Sequence, residues 1–94
     1  MFIIDLHYLA PLEQVDQHLK AHIEFLDHHY ASGHFLASGR KNPRNGGIIL
    51  AQGENLETIQ HIITKDPFHI HGLAEYRITE FSPIKAIPEL AFLQ

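Results

Sequence analysis

Between Pro11 and Gly33 the apolar residues fall at Leu12, Val15, Leu19, Ile23, Leu26 and Tyr30. That spacing is a helical stripe of about six turns. Pro11 suits the first turn of such a helix and Gly33 suits its C-cap. A long amphipathic helix needs an apolar surface to cover, and the flanking segments provide one. Phe2–Leu9 alternates Phe2, Ile4, Leu6 and Tyr8 against Ile3, Asp5, His7 and Leu9, the pattern of a strand with one dry face. After Gly33 come a short strand, His34–Gly39, a turn-rich loop, Arg40–Gly47, and a third strand, Ile48–Ala51. Asn55 is placed to cap a second helix with Leu56, Ile59, Ile62 and Ile63 inward. Pro67 forces that helix to stop near Lys65. Ala74–Phe81 then alternates Tyr76 and Ile78 against Glu75, Arg77 and Thr79 as a fourth strand.

The resulting order, β-α-β-β-α-β, predicts an α+β, ferredoxin-like fold over one domain, residues 1–94, with its core in 2–83 and a partly apolar tail, 84–94. Helices on one face of the sheet leave the other bare. That face offers Ile3 and Leu9 beside Asp5, His7, Arg77 and Thr79, so a homodimer with a partly polar interface between sheets is expected. A monomer with a solvated sheet is the simpler alternative.

Eleven acidic residues against seven Lys and Arg give a net charge of −4, which argues against a nucleic-acid partner. The absence of cysteine removes thiol catalysis and Cys-based zinc sites. Phe2-Ile3-Ile4 is broken by Asp5 and His7 and lacks a basic flank, so it does not read as a signal peptide. No stretch approaches the roughly 18 apolar residues of a membrane span, so no membrane partner is expected and the expected location is the cytoplasm. Chemistry is sought among nine histidines, the side chain that titrates nearest neutral pH.

His22 falls three residues after Leu19 and four before Leu26, at the border between core and solvent on the first helix. Spacing alone also accommodates a boundary histidine bonded to a backbone carbonyl. Asp66 follows the second helix, where the last carbonyls disfavour negative charge unless a partner answers it. It also suits the N-cap of a short turn, Pro67-Phe68-His69. A His–Asp pair drawn from helices on one sheet face would supply a general base with an orienting carboxylate, or divide the acid and base roles. Arg40, with the Ser38-Gly39 backbone, is placed to hold an anionic group, although a charged loop is also an ordinary solvated hairpin. His18 and His22 have the i, i+4 spacing of metal ligands, with His69 or His71 as a third. No HExxH accompanies them, and no metal is expected.

These residues together resemble the YciI-like (YCII-related) family. The resemblance rests on helix-borne His22, Phe35-Leu36-Ala37-Ser38-Gly39, the loop from Asn42-Pro43 to Gly46-Gly47, and Asp66-Pro67-Phe68, Gly72-Leu73, Tyr76 and Phe81. It covers about residues 2–83, and Arg40 stands where many members carry proline. It implies a dimeric α+β barrel, akin to muconolactone isomerase-like enzymes, with a His–Asp active site at His22 and Asp66. The expectation is a small enzyme without a cofactor. His22 and Asp66 would move a proton on a small, anionic organic substrate in an isomerase or lyase reaction. Ser38, Gly39 and Arg40 would hold the anion and Phe68 would form an apolar wall. The alternatives are a non-catalytic ligand-binding or accessory module of the same fold, a histidine-based metal protein, and a dimer that responds to pH.

Overall fold

The computed structural model describes the whole chain, Met1–Gln94. Its elements are β1 (Phe2–Tyr8), α1 (Leu12–Gln17), α2 (Leu19–Ala31), β2 (Phe35–Arg40), β3 (Gly46–Ala51), α3 (Leu56–Ile63), α4 (Pro67–Ile70) and β4 (Ala74–Glu80). A 3-10 turn, Pro88–Leu93, ends the chain. The four strands form an antiparallel sheet in the order β2-β3-β1-β4, compatible with the ferredoxin-like fold expected from the order of the elements.

Period two sorts the sheet as expected. Phe2, Ile4 and Leu6 are buried beneath the helices. Ile3, Asp5 and His7 point the other way, beside Leu50, Ile48 and Gly46 on β3 and Thr79, Arg77 and Glu75 on β4. On that uncovered face Lys41 pairs with Asp5 at 2.9 Å. Asn55 caps α3 by accepting the Thr58 N–H at 2.8 Å. Ile59, Ile62 and Ile63 are buried as predicted, while Leu56 stays exposed.

The first helix departs from its sequence pattern twice. It is broken at His18, whose N–H bonds the Val15 carbonyl in a 3-10 turn at 3.0 Å. At this joint the His18 ring stacks on His71, just past α4, with centroids 4.0 Å apart. The face turned to the sheet is also not the Leu19–Leu26 stripe. Val15, His22, Phe25 and His29 are the buried residues of α1 and α2, while Leu12, Ile23 and Tyr30 are exposed. His22 thus sits within the buried face rather than at its border. The apolar stripe is displaced to one side, because part of it lines a cavity instead of the core.

Gly46 is required where β3 crosses β1. A Cβ built there would lie 1.8 Å from the Leu6 carbonyl oxygen, so no side chain fits.

Candidate functional site

Asp66 anchors the site. It follows α3, and its extended backbone (φ −68°, ψ 125°) makes it the N-cap of α4, with Pro67 in the first position. Its carboxylate is fully buried and has three polar partners. Oδ1 accepts from the Phe68 N–H at 3.0 Å and lies 2.8 Å from His22 Nδ1. Oδ2 accepts from the Tyr76 hydroxyl at 2.7 Å. Capping and histidine pairing, which appear as rivals in the sequence, are done by the same oxygen.

The Phe68 N–H and the Tyr76 hydroxyl both donate to this group, and a carboxylate can only accept, so the 2.8 Å contact puts the proton of neutral His22 on Nδ1. Nε2 has no partner within the chain and keeps solvent access. The imidazole lies flat on the Phe68 ring, with centroids 4.0 Å apart and planes 7° from parallel. Phe68 is in turn met edge-on by Tyr8, with centroids 6.0 Å apart. Hydrogen bonding thus fixes one edge of the imidazole and stacking fixes one of its faces.

The free edge meets a cavity of about 190 Å³ lined by His22, Phe68, Ser38, Gly39 and Arg40. These are the expected site residues apart from Asp66, which stands behind His22 and does not line the cavity. Leu6, Leu19, Ile23, Leu26 and Ile49 make the wall mostly apolar, and Tyr8 adds a phenol. Register explains the polar end. Ser38 pairs with Ile49, and Arg40 with Gly47, across β2 and β3, so both point to the helix side of the sheet. Ser38 Oγ is 2.6 Å from the Tyr30 hydroxyl of α2. Among the loop cations, Lys41 pairs with Asp5 and Arg44 with Asp16, which leaves Arg40 without an ion-pair partner.

One residue of the site, Tyr76, is given no chemical role by the sequence pattern. Strand alternation sets Tyr76 with Ile78 on one face, and the family resemblance includes it, but neither gives it a task. Its hydroxyl was the available signal, since a buried phenol needs a partner. Burial, and Asp66 beside it, push the Tyr76 phenol far above its ordinary range, so it stays a donor. Away from the cavity, His29 is buried with Nδ1 unpartnered. Burial first, then nearby His28, His34 and Lys65, lower its affinity for a proton. His18 and His71 stack with each other, and nowhere do three histidine or acidic side chains converge as a metal site would require.

No helix is long and apolar enough to cross a membrane. No curated protein matches the sequence. Among solved structures, the fold is similar to that of 5-chloro-2-hydroxyhydroquinone dehydrochlorinase from Burkholderia phenoliruptrix AC1100, determined in complex with 2,5-dihydroxybenzoquinone. The TM-score is 0.72 at 16% identity, over 86% of this chain and 93% of that one. The family model described as YCII-related domain matches residues 1–82, and the chain belongs to that family.

Proposed function

We propose that this protein is a cofactor-independent enzyme, of isomerase or lyase type, that transfers a proton on a small anionic organic substrate. The observation that carries the proposal is the chain of contacts from Tyr76 through Asp66 to His22, which ends on a free Nε2 at an apolar cavity. In this reading Nε2 removes a proton from the substrate, and the buried carboxylate stabilises the imidazolium that forms. Arg40 holds the anionic group, helped by the Ser38-Gly39 segment, and Phe68 forms the apolar wall. His22 then returns the proton at another atom in an isomerisation, or the substrate expels a leaving group in an elimination.

Size supports the substrate class. An apolar cavity of roughly 150 Å³ takes one benzene ring, so about 190 Å³ suits one substituted ring. The ligand of the similar dehydrochlorinase structure is of that kind, a single ring with acidic hydroxyls. The proposal includes a homodimer closed across the uncovered sheet face, where half-buried Ile3, Ile48 and Leu50 adjoin the charged Asp5–Lys41 pair.

The test uses 5-chloro-2-hydroxyhydroquinone as probe, followed by chloride release. Turnover by the unaltered protein, reduced roughly 100-fold or more in His22→Ala and in Asp66→Asn, supports the assignment. Activity retained in both variants overturns it. A probe that raises the melting temperature but is recovered unchanged identifies a binding module instead. Sedimentation as a monomer removes the dimer.

A further inference from the structure

We infer that Tyr76 is a positioning residue, whose hydroxyl locks the Asp66 carboxylate so that neutral His22 presents a bare Nε2 to the cavity. The inference rests on the reading of His22 as the base and adds the group that fixes its tautomer.

The geometry assigns each oxygen of Asp66 a separate task. Oδ1 serves the Phe68 N–H and His22 Nδ1, and Oδ2 has Tyr76 alone. A terminal carboxylate torsion is soft and two-fold, so the Phe68 and His22 contacts to one oxygen leave the plane free to rock about that oxygen. A bond to the other oxygen, 2.7 Å from the Tyr76 hydroxyl, removes that freedom. Because Asp66 is fully buried, water cannot take over the role. Tyr76 is itself seated by β4, where it faces Leu6 across the β1 register, and its ring lies 5.7 Å from that of His69. It does not line the cavity, so it acts through Asp66 and not on substrate.

The consequence is a preference between tautomers. An imidazole with no strong acceptor at Nδ1 favours the proton on Nε2, which here would make His22 a donor toward the cavity and useless as a base. A fixed acceptor at Nδ1 inverts that preference. With Tyr76 removed, the carboxylate rocks, the Nδ1 bond loosens and both tautomers are populated.

The test is 15N NMR of the imidazoles in the full chain, followed with rising pH to the plateau at which the histidine shifts no longer change. The His22 signals are assigned by their loss in His22→Asn. In the unaltered protein, Nδ1 is expected at the protonated position and Nε2 at the bare one. In Tyr76→Phe, both are expected to move toward each other as the tautomers mix. A Tyr76→Phe variant that folds and keeps the original pair of shifts overturns the inference. Should that variant fail to fold, the hydroxyl proton of Tyr76 in the unaltered protein decides. A slowly exchanging resonance with a contact to His22 supports the lock, and one lost to rapid exchange overturns it. Failure of the proposed function looks different: His22→Ala would keep turnover while Tyr76→Phe still shifted the tautomer. Inactivity of His22→Ala with an unmoved tautomer in Tyr76→Phe removes the role of Tyr76 alone.

Discussion

Replacing Asp66 separates two roles that one carboxylate combines, and the alanine and asparagine variants should differ sharply in stability. Asp66→Ala strands three donors in a buried place: His22 Nδ1–H, Phe68 N–H and the Tyr76 hydroxyl. A donor left unpaired costs roughly 1–3 kcal/mol, so the loss is about 3–6 kcal/mol after some relaxation. A domain of this length has on the order of 5–14 kcal/mol in total, so Asp66→Ala removes a large share of it. Asparagine keeps one carbonyl oxygen for His22 and Phe68. Its amide then faces Tyr76, whose hydroxyl turns from donor to acceptor. All three contacts survive without the charge, and the cost falls to about 1–2 kcal/mol. Urea unfolding at matched protein concentration measures both values, and an unchanged m-value guards against a shift in mechanism. On heating, about 4–8 °C is expected per kcal/mol in a chain of this size. Asp66→Ala within about 1 kcal/mol of the unaltered protein, or no more costly than Asp66→Asn, would refute the claim that this carboxylate organises the site.

Further outcomes follow from other parts of the molecule. His29 takes up a proton less readily in the fold than its ordinary value of 6.5, chiefly through burial. The unfolded chain therefore binds more protons, and stability falls as pH drops below about 6.5. His29→Leu should flatten that slope in unfolding titrations, and an unchanged slope would assign acid sensitivity to other groups. Gly46→Ala should prevent normal folding, because its Cβ would meet the Leu6 carbonyl oxygen at 1.8 Å. Gly33→Ala meets no neighbour within 4 Å at φ +85°, so only the left-handed backbone is penalised, by roughly 1–2 kcal/mol. Circular dichroism melts of the two variants distinguish these expectations. Arg40→Gln removes a cation that has no partner in the chain. It should leave the melting temperature nearly unchanged while weakening an anionic ligand by roughly 1.5–3 kcal/mol, or about 10–150-fold in Kd, by calorimetry.

The sheet was legible in the sequence because period two is a local signal. Phe2, Ile4 and Leu6 are buried in the order their alternation predicts. Asn55 and Pro67 likewise declare a helix start and a helix stop by chemistry that acts within three residues. The phase of the first helix was less legible, since hydropathy treats every apolar residue as core. Leu19, Ile23 and Leu26 line a cavity, while two histidines take part in the buried face. Burying His22 depends on Asp66, an acceptor 44 residues along the chain, and no local period registers a contact at that range. The partnership of Tyr76 with Asp66 was hidden for a related reason. Hydropathy classes a tyrosine by its ring, whereas its place in this site is set by a hydroxyl bonded to a carboxylate from a different element. Polar atoms with one long-range partner each therefore fix the site, and the apolar pattern that identifies the fold forms its walls.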